Sequence, residues 1–113
     1  MKYLVAIIQP DRLDDVMVEL EKRDIHFVTV SNVLGRGRQR GVAQIYRSHR
    51  EVGSLLRKVK LEIALNPSQV RAAVAAITKG ARTGKVGDGK IFVMPLSATL
   101  RIRTGESGAK AIG

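Results

Sequence analysis

Three segments of this 113-residue chain combine glycine with Arg or Lys: 35–41, 82–90 and 101–105. Glycine lets backbone N–H groups approach the oxygens of an anion closely, and Arg or Lys adds charge-assisted hydrogen bonds. A single segment of this kind is equally typical of a turn with solvated cations. Three of them in one small chain indicate a site for a polyphosphate.

Two of these segments approach known phosphate-binding motifs without completing them. Residues 84–90 have the spacing of a P-loop up to its lysine, but Ile91 stands where a Ser or Thr hydroxyl would bind magnesium. Residues 35–41 begin like a dinucleotide fingerprint, but the third glycine comes one position late. Neither of the two corresponding folds is predicted.

The composition excludes several other kinds of site. The chain has no cysteine, which removes disulfides, thiolate metal sites and thiol nucleophiles. Only His26 and His49 could serve as bases at neutral pH, and both lie outside the glycine-rich segments, so we expect no enzyme activity. The apolar run 3–8 is too short for a signal peptide. With 44% hydrophobic residues and a net charge of +10, we expect one cytoplasmic domain over 1–113.

The elements that must position the three segments follow from the apolar spacing. Apolar residues recur at helical spacing after Pro10 and after Pro67, which predicts two amphipathic helices, the second ending near Gly80. Four runs have the composition of strands: 3–8, 25–34, 55–65 and 90–96. The third alternates apolar and polar residues, which predicts a sheet with one polar face open to a partner. The order favours an α+β, ferredoxin-like βαββαβ domain: a four-stranded antiparallel sheet with both helices on one face.

Three further segments are expected to be loops. Residues 35–54 have little apolar periodicity, and a loop of this length between two strands is usually functional. Residues 82–90 are predicted to be a phosphate-binding loop. Residues 101–113 are expected to form a C-terminal loop and a mobile tail.

On these segments the chain resembles the PII signal-transduction proteins of nitrogen metabolism over nearly its whole length. The resemblance lies in residues 35–41, 58–63, 81–93 and 102–106, and the third of these ranges is the most distinctive. It implies a ferredoxin-like homotrimer that binds ATP or ADP in clefts between subunits, senses 2-oxoglutarate and regulates other proteins.

The resemblance also implies roles for individual residues. The implied nucleotide-binding residues are Ile7, Thr29, Gly35, Gly37, Arg38, Gln39, Ala64, Gly87, Asp88, Gly89, Lys90, Arg101 and Arg103. Gln39 would complete the six-oxygen shell of a Mg²⁺ ion bound by ATP and 2-oxoglutarate. Lys58 would hold the distal carboxylate of 2-oxoglutarate, and the other positions implied for this ligand are Arg40, Gly41 and Gly87.

The long loop is implied to choose the regulated partner. Its partner-binding residues would be Tyr46, Arg47 and Arg50. Arg47 corresponds to a family arginine that enters an ammonium channel, so we expect membrane contact only through such a channel. His49 and Glu51 stand at positions where relatives are phosphorylated or uridylylated, and neither carries the acceptor hydroxyl. Residues 35–41 look like the branch that regulates nitrogenase, so a channel, a nitrogen-metabolism enzyme and the nitrogenase system all stay open as targets.

Two other functions remain as alternatives. A divergent PII branch could read adenine nucleotides alone and regulate another transporter or enzyme. An RNA-binding module shares the strand order and the basic charge, but such modules stack bases on aromatic residues of two central strands. The third predicted strand has no aromatic residue, so no nucleic-acid partner is expected.

Overall fold

A single four-stranded sheet forms the centre of the computed structural model, which describes residues 1–37 and 55–113. Its α-helices and strands follow in the order β1 (Lys2–Ile8), α1 (Leu13–Lys22), β2 (Thr29–Gly35), β3 (Leu56–Leu65), α2 (Pro67–Ala81) and β4 (Lys90–Pro95). Short 3-10 helices lie at Pro10–Arg12 and Gly108–Ala111. The sheet is antiparallel with strand order β2-β3-β1-β4, so the predicted ferredoxin-like fold is confirmed.

The core lies between this sheet and the two helices. Every second residue of the central strands β1 and β3 is buried, as the two-residue period of a strand requires. Helix α1 buries Val16 and Leu20 against them, and α2 is buried mainly in its second half, from Ala73 to Ala81. The largest fully buried side chains are Leu4, Ile8, Val16, Leu20, Leu61, Ile63, Leu65 and Ile77.

The other side of the sheet, which we call the open face, is covered by no helix among the described residues. The strand register places these residues on it: Tyr3, Val5, Ile7, Thr29, Ser31, Val33, Gly35, Leu56, Lys58, Lys60, Glu62, Ala64, Lys90, Phe92 and Met94. In β3 this face is mainly polar, as predicted. In β4 it is apolar, with Phe92 48% and Met94 40% exposed.

The two helices cross at Gly80. A Cβ atom at this position would lie 2.6 Å from the Cα of Val16, so only glycine allows this close approach of the helix backbones. The Nε of Arg12 donates to the Gly80 carbonyl oxygen at 2.9 Å, which satisfies one carbonyl of the last turn of α2. The predicted helix end near Gly80 is confirmed, since α2 ends one residue later at Ala81, but the glycine serves helix packing and not capping.

The start of the second strand also differs from the prediction of residues 25–34. Strand β2 begins at Thr29, because Ile25 belongs to the cap that follows α1. The N–H of Ile25 donates to the Leu20 carbonyl at 3.0 Å, and the N–H of Asp24 donates to the Glu21 carbonyl at 3.0 Å. This is the pattern of a Schellman motif. Asp24 takes the positive φ of 57° that glycine usually supplies. Ile25, 5% exposed, is therefore the apolar residue that closes the helix.

The chain end differs from the prediction as well. Residues Gly108–Ala111 form a 3-10 helix, and Ile112 is buried at 9% exposure, so the expected mobile tail is docked on the domain. The Nδ2 of Asn66, at the start of α2, donates to the Ala109 carbonyl at 3.4 Å. None of the helices in the described ranges is long and apolar enough to cross a bilayer.

Gly80→Ala is expected to lower the free energy of unfolding by about 1–3 kcal/mol, because the added methyl group meets backbone atoms of Val16 that cannot move aside. Urea denaturation at a fixed protein concentration measures the change. Gly37→Ala is the matched control, since a Cβ there meets nothing within 4 Å. Equal stability of the two variants would show that the helix crossing tolerates a side chain.

Candidate functional site

Loop 82–90 connects α2 to β4 and is held against the end of β1. Gly84, Gly87 and Gly89 have φ angles of 90°, 106° and 104°, which L-residues with a Cβ rarely adopt. At Gly89 the constraint is also steric, because a Cβ would lie 1.8 Å from the carbonyl oxygen of Ile7. The loop backbone therefore lies directly on the last residues of β1, and Lys90 pairs opposite Ile7.

The carboxylate of Asp88 organises this loop from within. It accepts hydrogen bonds from the backbone N–H of Thr83 at 2.8 Å, from the N–H of Gly84 at 2.8 Å and from the Thr83 hydroxyl. These bonds, that of the Thr83 side chain first, hold the pKa of Asp88 below its ordinary value. Its oxygens are thus occupied by the loop itself, and the described geometry makes Asp88 a positioning residue for the expected site.

One group of the expected site residues lies at the loop end of the open face. It consists of Ile7, Gly35, Lys58 and Lys90. Ile7 pairs with both Lys60 and Lys90 in the sheet, and Gly35 pairs with Leu56, which lies two residues before Lys58 on β3. A Cβ at Gly35 would lie 3.4 Å from the Cγ of Lys58, so the glycine leaves space beside the lysine side chain. Lys58 is half-buried, and this burial lowers its pKa.

A second group lies at the opposite end of the same face. Ala64 pairs with Tyr3 and Thr29 with Glu62, so this end is four residues of β3 away from Lys60, a distance of about 13 Å. Glu62 was not among the residues predicted for the site. It lies two residues before Ala64, and the alternation of apolar and polar residues in β3 places both on the open face. The hydroxyl of Tyr3 donates to it at 2.6 Å, and this hydrogen bond is the main cause of the raised pKa of Tyr3.

Residues 101–105 also lie at this far end, near the start of β1. The N–H of Leu96 donates to the Met1 carbonyl at 3.0 Å, and the Thr99 hydroxyl lies 3.4 Å from the Met1 sulfur. Arg103 is exposed, whereas Arg101 is partly buried against the C-terminal residues. Within one chain, the cationic segments 82–90 and 101–105 are therefore separated by the length of β1.

A shallow cavity of about 240 Å³ lies between the loop and the helix layer. Helix α2 contributes Ile77, Thr78 and Ala81 to its wall, which no motif in the sequence indicated, and the loop contributes Arg82 and Asp88. It shares Ile7, Gly89 and Lys90 with the loop end of the open face. The cavity is thus the helix-side border of the same region.

Several expected site residues fall outside the described ranges, and their predicted roles stay predictions. They are Arg38, Gln39, Arg40, Gly41, Tyr46, Arg47, His49, Arg50 and Glu51. Gly37 is described, and lies exposed just after β2. Among residues 1–37 and 55–113, no three His, Asp or Glu side chains are grouped so that they could hold a metal ion.

The hydrogen bonds of Asp88 are expected to titrate below the ordinary Asp pKa of 3.8, because its pKa in the folded chain is lowered. Their stabilisation is complete above that pH and is lost as the pH falls through the lowered value. Amide NMR shifts of Thr83 and Gly84 should therefore change together below pH 3.8. In Asp88→Asn this joint change should be absent. A midpoint at or above 3.8 would contradict the geometry.

Comparison with known proteins assigns the family. The model of the family "Nitrogen regulatory protein P-II" matches residues 1–106. Nitrogen regulatory protein P-II 2 of Methanothermobacter thermautotrophicus is 47% identical over 99% of this chain and 97% of its own length, and GlnK1 of Methanosarcina mazei is 47% identical with the same coverage. A crystal structure of Arabidopsis thaliana PII bound to citrate superposes with a TM-score of 0.79 at 40% identity, covering 98% of this chain and 88% of that one. The chain therefore belongs to the P-II family of nitrogen regulatory proteins, which are signal-transduction regulators and not enzymes.

Proposed function

We propose that this chain forms a homotrimer that binds ATP or ADP between subunits and uses its long loop, residues 35–54, to control a nitrogen-metabolism target. The observation that carries the proposal is the separation of the expected nucleotide contacts into two groups at opposite ends of β1. A nucleotide cannot reach both groups of one chain in a compact pose. The loop end of one subunit and the far end of another can, however, form one complete site.

The open face supports this assembly. Its residues Phe92 and Met94 expose large apolar surfaces, and burying such surface between subunits is the usual source of association energy. A chain of 113 residues buries only a modest core, so association also adds stability. The trimer thus closes the nucleotide sites and covers the open face at once.

In the proposed site, the phosphates of the nucleotide lie between two sets of cations. Lys90 and the N–H groups of Gly87 and Gly89 approach from the loop end of one subunit, together with Arg38. Arg101 and Arg103 approach from the far end of the neighbour. Ile7, Gly35 and Gly37 would border the nucleoside on one side, and Thr29 and Ala64 on the other. The positive φ angles at Gly87 and Gly89 favour glycine at both positions, so no side chain covers the loop backbone where an anion must come close.

The loop end also supports a 2-oxoglutarate site. Lys58 is half-buried with a lowered pKa, and a carboxylate beside its ammonium group would favour the charged form. Gly35 leaves space beside it. Gln39 would join the phosphates and 2-oxoglutarate on one Mg²⁺ ion, with Arg40, Gly41 and Gly87 around the ligand. The citrate bound to the Arabidopsis relative shows that a relative of this chain accepts a polycarboxylate.

The output of the proposed sensor is the conformation of residues 35–54. This segment follows directly on β2, whose last residue, Gly35, contacts the Lys58 region. A ligand there can bias the loop only if it binds two loop states with different affinity, and such coupling is usually about 1–3 kcal/mol. Tyr46, Arg47 and Arg50 would meet the partner: an ammonium channel, a nitrogen-metabolism enzyme or the nitrogenase system. We place the regulator in the cytoplasm, with a membrane contacted only through a channel.

Arg103→Ala is expected to weaken ATP binding by about 2–3 kcal/mol, because a charge-assisted hydrogen bond to phosphate is lost from a partly desolvated site. Isothermal titration calorimetry of the full chain measures it, with light scattering to check that the variant stays a trimer. Arg71→Ala is the matched control, since Arg71 is an exposed arginine of α2. Unchanged affinity in Arg103→Ala would remove this residue from the site, and a monomeric wild type would contradict the shared site.

The two ligands are expected to need each other, because the Mg²⁺ shell closes only with both bound. In calorimetry, 2-oxoglutarate should bind in MgATP and at least about tenfold more weakly in ADP or without magnesium. Gln39→Ala should lose this coupling and keep most ATP affinity, while Lys58→Ala should lose 2-oxoglutarate binding through its unpaired distal carboxylate. If wild-type protein binds ATP but shows no response to 2-oxoglutarate, the protein is instead a sensor of adenine nucleotides alone.

A further inference from the structure

The segment after β4 folds into a hairpin that brings Arg101 and Glu106 face to face. The Arg101 N–H donates to the Glu106 carbonyl at 2.8 Å, and the Gly105 N–H returns to the Arg101 carbonyl at 2.8 Å. Leu100 and Ser107, the adjacent residue pair of this hairpin, form an antiparallel β-bridge. The hairpin is anchored by the docked chain end, in which Ile112 is buried. The backbone therefore fixes which side chain stands beside the Arg101 guanidinium.

That side chain is a carboxylate. Oε1 of Glu106 lies 3.4 Å from Nε of Arg101, and Nη2 of Arg101 reaches the Lys110 carbonyl at 3.5 Å. Oε1 also accepts a hydrogen bond from the Thr104 hydroxyl at 3.0 Å. Glu106 thus places one carboxylate oxygen beside the guanidinium, whose fork could instead bind two oxygens of a phosphate.

The grip of Glu106 on Arg101 is loose, which makes it exchangeable. Among the described residues, Nε of Arg101 is buried without a hydrogen bond of good geometry, although the ion pair lies within 4.0 Å. The two side chains are 31% and 45% exposed, and pairs of this exposure contribute little free energy. Glu106 also accepts a hydrogen bond from Thr104 and is partly solvated, so its displacement from Arg101 would leave no buried charge unpaired.

We propose that Glu106 is a built-in competitor of the nucleotide phosphates, which holds Arg101 in the empty state and is displaced when a phosphate binds. This inference rests on the proposed function, in which Arg101 contacts the nucleotide. The competitor lowers affinity for every ligand that must displace it. A ligand that binds without contacting Arg101 is not affected by this competition.

The test is calorimetry of ATP binding to the full chain and five variants, one of them a double variant. Glu106→Gln and Glu106→Ala should each bind ATP about two- to fivefold more tightly than wild type, the range expected for loss of an exposed ion pair. Glu21→Gln, which removes one negative charge from an exposed site on α1, should bind like wild type. In Arg101→Ala, adding Glu106→Gln should change nothing further, because the competition acts only through Arg101.

Each contrary outcome has a distinct meaning. Unchanged or weaker ATP binding in both Glu106 variants would overturn the competition and make Glu106 a residue that merely positions Arg101. A gain that persists in the Arg101→Ala background would overturn it too, since the effect would then bypass Arg101. Absence of ATP binding by wild type would overturn the proposed function, and the competition with it. Circular dichroism checks that each variant keeps the fold.

Discussion

The backbone of Gly89 passes so close to β1 that a Cβ there would lie 1.8 Å from the carbonyl oxygen of Ile7. This contact determines where loop 82–90 sits, because the loop has no helix or strand of its own to hold it. It places Lys90 opposite Ile7 as the first residue of β4. The positions of the cationic loop and of the start of β4 therefore depend on a residue that has no side chain.

The second constraint is the length of β1. Because its two ends carry different cationic segments, one subunit of the proposed trimer would present two incomplete sites separated by a strand. The proposed trimer follows from this separation, since only another subunit can bring the missing half close. In the proposed trimer, ligand binding and assembly would be linked, because a nucleotide between subunits would contact both ends of the fold at the same time.

Two carboxylates act on the cationic segments in different ways. Asp88 accepts three hydrogen bonds within its loop, and these bonds depress its pKa, so it is a permanent part of the loop structure. Glu106 is more exposed and pairs with Arg101 without good hydrogen-bond geometry. The same chemical group thus stabilises one loop permanently and, in our proposal, occupies the other only until a phosphate arrives. Hydrogen-bond number and exposure, rather than charge, make the difference.

Local patterns in the sequence were sufficient for the fold class, the helices and most strands, because the alternation in β3 and the helical spacing after Pro10 and Pro67 record which face is buried. The family and its expected site residues followed from segments 35–41 and 81–93. Tertiary structure alone decided the rest. Ile25 was predicted to be a strand residue, but the hydrogen bond of its N–H to the Leu20 carbonyl places it in the cap after α1. Gly80 was predicted to stop α2, but its close approach to Val16 shows that it serves the crossing of the two helices. The docking of Ile112 and the pairing of Arg101 with Glu106 depend on contacts between distant or folded-back segments, which no local pattern encodes. The division of the site between the two ends of β1 has the same cause, because it depends on strand register and not on residue type.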